Sequence, residues 1–133
     1  MPDQSPQALA LTTTAEEVRQ QLGLPGYGGE AVPHLSHLID SQRHGLAPDE
    51  REGFITAVGC YLGECLVRTY HGEWAAGPDG TTGVGIGGQL FFNPFFLVKE
   101  QLDKGATASV AAFFASVPWR LAGKGAAHKA KIS

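Results

Sequence analysis

The chain has 133 residues, a 43% hydrophobic fraction and a net charge of −3, the size and composition of one globular domain. With Asp3 and the terminal Lys124, Lys129 and Lys131 set aside, 12 acids face 7 bases, and an acidic body disfavours nucleic-acid backbones. No apolar run reaches the ~18 residues of a membrane-spanning helix, and the start MPDQSPQALALTTT has no basic leader region, so a cytoplasmic protein is expected.

Residues 1–12, with Pro2 and Pro6 among polar neighbours, read as a disordered tail. Thr13-x-x-Glu16 and Thr14-x-x-Glu17 both fit a capping box, in which hydroxyl and carboxylate satisfy the free amides of a helix start. The first helix is therefore predicted to run from there to about Leu22, ahead of Gly23 and Pro25-Gly26. A second helix opens near Pro33, presents Leu35, Leu38 and Ile39 on one face and ends by Gly45.

The strongest pattern is a helix over 49–70, with Asp49 and Glu50 in its first turn. Phe54, Val58, Leu62, Cys65, Leu66 and Tyr70 give it a broad apolar stripe, which predicts the buried centre of the fold. Gly59 and Gly63 lie one turn apart and invite close approach by another element.

Past His71-Gly72 the period changes. Glu73–Ala75, the Val84–Ile86 region and Gln89–Phe92 alternate as short strands around Pro78-Asp79-Gly80 and Gly87-Gly88, which predicts an antiparallel meander of two or three strands. Asn93-Pro94 is an N-cap and first-turn proline for a helix over 94–104 that stops at Gly105. Thr107 then caps a fifth helix carrying Val110, Phe113, Phe114 and Val117, which Pro118 ends. Trp119 and Leu121 are expected to fold back on the core. The predicted fold is α+β: about five helices around a central buried helix, plus a small antiparallel sheet. The domain spans 13–121, and a basic flexible tail covers 122–133.

Few residues point to chemistry. Cys60 and Cys65 lie about 140° apart on their helix, against a mutual disulfide or a CxxC pair, and read as small apolar groups. His34 and His37, at i and i+3, share a helix face and could take a divalent ion with help from His44 or Asp40. No HExxH or cysteine pair completes that set, so solvated polar residues are the simpler reading. Gly83-x-Gly85-x-x-Gly88 formally matches a dinucleotide fingerprint, yet a strand and Asn-Pro follow where a helix should open, which makes these turn glycines.

Glu64 sits in the apolar central helix with Arg68 at i+4, and a buried carboxylate there must find partners among Arg68, Arg120 or backbone amides. Anchoring the Glu73-Trp74 strand is the structural reading of the Glu64–Arg68 pair. Catalysis by Glu64 with His71 is the enzymatic alternative. Phe91, Phe92, Phe95 and Phe96 flank Asn93-Pro94 and are either core or an exposed aromatic patch. With Gly85 and Gly87 they form the candidate partner surface.

Gly59-Cys60-Tyr61-Leu62-Gly63-Glu64, Gly72-Glu73-Trp74, Asn93-Pro94-Phe95 with Val98-Lys99, and Ser109-Val110 leading to Phe113-Phe114 resemble a group of small bacterial domains. In that group a helix with a YLGE turn precedes a GGEW strand and an NPF segment; here His71 replaces one glycine. The resemblance covers about residues 54–116 and implies a bacterial origin and a common fold, with no activity attached. The expected function is non-catalytic binding of another protein, of immunity or accessory type, with no cofactor. Metal or small-molecule binding through His34 and His37 is the alternative, and self-association stays open.

Overall fold

The computed structural model describes residues 6–77 and 80–132, with side chains described as far as Gly123. The chain order is α1 (Pro6–Leu22), α2 (Val32–Gln42), α3 (Pro48–Tyr70), β1 (Glu73–Ala76), β2 (Thr82–Ile86), β3 (Leu90–Phe92), α4 (Pro94–Lys104), a 3-10 turn (Gly105–Ala108) and α5 (Val110–Ile132). This is an α+β architecture of helices with one three-stranded antiparallel sheet in the order β1-β2-β3. Residues 1–5 of the expected tail, and the Pro78-Asp79 part of the expected turn, lie outside the described residues.

α3 is the hub. Every residue from Val58 to Leu66 is buried, so this stretch has no solvated face. It starts at Pro48, with the Glu50 carboxylate accepting from the Ala47 amide at 2.9 Å. It ends where His71 adopts a left-handed φ of 58° and the Gly72 amide reaches back to the Val67 carbonyl. Gly59 and Gly63 admit two rings: a Cβ at Gly59 would overlap Phe95, and one at Gly63 would overlap Trp74. Those rings stack on each other with centroids 6.1 Å apart, so the start of α4 and strand β1 meet on one side of α3. Val84 and Ile86 of β2 face the same core.

The chain departs from the sequence pattern at both ends. α1 begins at Pro6, well before the Thr13 and Thr14 capping boxes. Thr12 and Thr13 lie inside it, their hydroxyls turned back to the Ala8 and Leu9 carbonyls. The early turns are held by Gln7 donating to Thr82 and by Thr12 reaching Glu64, contacts across the fold that no local pattern encodes.

α5 is capped by Ser109, whose hydroxyl accepts from the Ala112 amide at 3.2 Å; Thr107 instead bonds the Lys104 carbonyl. The helix passes through Pro118, where a break was expected, and its backbone is helical to Ile132. Trp119 does not fold back: it is 80% exposed. Leu121 does pack against the core.

Candidate functional site

Among the described residues three polar networks link the elements of the fold. The first is centred on Glu64, which is only 3% exposed. Its Oε1 accepts from Arg68 Nε at 2.9 Å, and its Oε2 accepts from Trp74 Nε1 at 2.8 Å and from the Thr12 hydroxyl at 2.9 Å. Charge-assisted bonds from three different elements answer the cost of burying a carboxylate. The Arg68 guanidinium also lies over the Tyr27 ring, 3.9 Å from its centroid. Glu64 is thus held by an arginine, an indole and a hydroxyl. His71, its proposed catalytic partner, caps the C-terminal end of α3 and is exposed.

The second network ties α1 to the loop before α2. Glu16 accepts from Tyr27 Oη at 2.6 Å, from Gln20 at 3.0 Å and from Arg19 at 2.7 and 3.0 Å. The Arg19 bonds, then those of Tyr27 and Gln20, hold its carboxyl at about 2. The Tyr61 hydroxyl donates to the Gly26 carbonyl, and the Tyr27 and Tyr61 rings lie 5.1 Å apart.

The third was not foreseen. Gln101 is fully buried, and its amide donates to the Ser36 carbonyl at 2.9 Å and to Asp40 at 3.0 Å. Its oxygen accepts from the Val110 amide at 2.8 Å and from the Ser36 hydroxyl at 3.2 Å. One side chain therefore joins α2, α4 and the first turn of α5. A glutamine among charged residues on a helix gives no local sign of burial, and only the helix period, placing Gln101 beside Val98 and Leu102, marks it. Among the described residues no buried side-chain polar atom lacks a partner.

Cys60 and Cys65 are buried and unbridged. Burial first, then the Glu64 charge, pushes the Cys60 thiol up to about 11; burial pushes Cys65 up to about 12. Burial thus disfavours the reactive thiolate of both near neutral pH. His34, His37 and His44 are all exposed, and among the described residues no three His, Cys, Asp or Glu side chains are grouped as a metal site. His34 does border a small cavity of about 210 Å³ with Leu22, Leu24 and Leu38.

The aromatic segment divides. Phe91 lies over Gly77 and Gly83, Phe92 meets Phe113 edge-on at 4.7 Å, and Phe95 covers Gly59. All three are half-buried, while Phe96 is 54% exposed. Gly85 is held in the sheet opposite Glu73 and Phe91, and Gly87 turns β2 into β3 with a φ of 65°.

Phe96 stands between two open grooves. One, of about 490 Å³, runs along Pro48, Ile55 and Phe95, with Arg51 and Lys99 at its rim, both tied to Asp103. The other, of about 390 Å³, lies between α4 and α5 and is lined by Leu97, Glu100, Ala112, Phe113 and Arg120. Trp119 projects from the exposed side of α5, seven residues after Ala112 and so on the same helix face. Ending the helix at Pro118 hides this. Carried on, the helical period sets Trp119 about 180° from Val110, opposite the buried face.

Comparison with protein-family models, curated proteins and solved structures gives no match to the chain.

Proposed function

We propose that the protein is a non-catalytic binding domain that engages another protein across the face of α4 and α5 bearing Phe96 and Trp119. The observation that carries this reading is the exposure of those two rings, 54% and 80%, with Phe96 lining an open groove whose walls include Leu97, Ala112 and Phe113. Large aromatics held outside a packed core, next to a concave apolar surface, are what binding hot spots are made of. The groups suited to catalysis are occupied elsewhere: Glu64 by three donors, the cysteines by burial. The surface differs from one centred on residues 91–96 and the 83–88 turn, because Phe91, Phe92 and Phe95 serve the interior and Phe96 alone of the four stands out. An immunity or accessory role is proposed with it, the kind of binding expected from the resemblance to small bacterial domains.

The test is quantitative affinity capture from the native host with the wild type and with a Phe96→Ala/Trp119→Ala double variant of unchanged circular dichroism. A protein retained at fixed stoichiometry by the wild type and lost from the variant is expected. Identical recovery by both would remove the reading.

A further inference from the structure

α5 is apolar on two opposite faces. Val110, Phe114 and Val117 turn into the core, while Ala112, Ala115, Trp119 and Ala122 are exposed on the other side. Their spacing of three, four and three residues is that of a seam packed against another helix. The seam is uneven, with one indole standing among alanines. A helix that fits it must set small residues against Trp119 and bulk against the alanines.

The geometry points to a second copy of this chain as the occupant, its α5 antiparallel to the first about a two-fold axis between Ala115 and Ser116; this rests on the reading of the face as a binding surface. That axis pairs Trp119 of each copy with Ala112 of the other, and Ala115 with Ser116. Large meets small twice, from one sequence, which is the self-complementarity an isologous interface needs.

The groove supplies the receptacle. Ala112 is in its wall, with Leu97, Thr107 and Phe113, so each incoming indole meets an opening of about 390 Å³. A buried tryptophan hides roughly 150–250 Å² of its own surface, and two such insertions with both Phe96 rings build the apolar centre of a small interface.

Charge agrees with this pairing. Among the described residues Arg120 Nε donates to the Ser116 hydroxyl at 2.8 Å and its guanidinium lies over Phe113, while the residue as a whole is exposed and lines the groove. Glu100, already paired with Lys104 at 2.7 Å, lines the same groove, and the two-fold brings Arg120 of the other copy to it as a second cation.

The test uses the full chain. In a concentration series by light scattering the wild type gives twice the chain mass, and Trp119→Ala and Ala112→Glu give the single mass with unchanged helicity and a melting temperature that no longer depends on concentration. Glutamate at 112 stands three residues after the Ser109 cap, where it favours the helix, so its effect reads the interface. Under mild oxidation Ala115→Cys crosslinks to a dimer much faster than Ala10→Cys, an exposed position on α1; the native cysteines are buried and stay out of the reaction. A wild type that is monomeric throughout, or equal crosslinking of the two cysteine variants, overturns the homodimer. If that monomer still captures a protein that Trp119→Ala releases, the binding reading survives alone; if it captures none, both fall.

Discussion

The Tyr70 hydroxyl donates to the Phe114 carbonyl at 2.7 Å, and Phe114 lies four residues before Pro118. The two facts belong together. Proline has no amide hydrogen, so inside a helix it orphans the carbonyl four residues earlier. Phe114 is buried, and water cannot answer for that carbonyl. The last residue of the central helix does so, and its ring also lies 5.0 Å from the Phe114 ring. α5 thereby continues past Pro118 and carries Trp119 out to the surface.

Tyr70→Phe should lower stability by about 1–2 kcal/mol, the cost of stranding a buried acceptor. In a Pro118→Ala background the restored amide takes over, and the same substitution should cost less, with a coupling of about 1 kcal/mol. Urea unfolding of the four proteins measures it. An equal Tyr70→Phe cost in both backgrounds would separate the hydroxyl from the proline.

This contact explains what the sequence could and could not tell. The central helix and the strands after it follow from local pattern: Asp49 and Glu50, the apolar stripe and the terminal His71-Gly72 for the helix, turn glycines for the strands. Gly59 and Gly63 announce close approach, and the sequence leaves open only which rings arrive. The misplaced boundaries are those set by partners far along the chain. Thr12 is helical because Gln7 and Thr12 find Thr82 and Glu64, and Pro118 is helical because Tyr70 is near. The exposure of Trp119 was illegible for the same reason, since it follows only if α5 goes on, whereas Phe96 already stood among the candidate surface residues.

Glu64→Gln should destabilise the protein by about 2–3 kcal/mol, because three donors arranged around a carboxylate would face a neutral amide that brings donors of its own. The loss should appear in the urea midpoint, with Trp74 fluorescence changed as its indole N–H loses a charged acceptor. A midpoint equal to that of the wild type would show that the charge contributes nothing.

The Glu16–Tyr27 bond should weaken at both ends of the pH scale. Glu16 is lowered from the usual 4.5 to about 2, first by Arg19, so its ionised form favours the fold. That stabilisation is complete above 4.5 and lost as pH falls towards 2. Tyr27 is raised from 10 to about 12, by burial and then by Glu16, so its neutral form favours the fold and the contribution fades as pH rises from 10 to 12. Glu16→Gln should flatten the acid limb of the urea midpoint against pH. Parallel acid limbs for the two proteins would contradict the assignment.

Both thiols should be silent in the folded protein. With Cys60 held at about 11, roughly a thousandth is thiolate at pH 8, and Cys65 is held higher still. A chromogenic disulfide reagent should find no reactive cysteine in native buffer and two per chain in guanidinium. Prompt labelling of either one under native conditions would reopen a cysteine-based activity.

Gly63→Ala and Gly53→Ala should move stability in opposite directions, although both glycines lie in α3. Alanine at an unobstructed helical glycine stabilises by about 0.5–1 kcal/mol, and a Cβ at Gly53 meets nothing within 4 Å. At Gly63 the new Cβ would overlap the six-membered ring of Trp74. That ring cannot simply step aside, because its nitrogen is bonded to Glu64 on one side and its face rests on Phe95 on the other. Displacing it exchanges a helix gain for overpacking and a weakened buried bond, a net loss of about 2–3 kcal/mol. Urea midpoints and a red shift of tryptophan emission confined to the Gly63 variant would place β1 on α3 through this one contact; a stabilised Gly63→Ala would show that the indole is free to move.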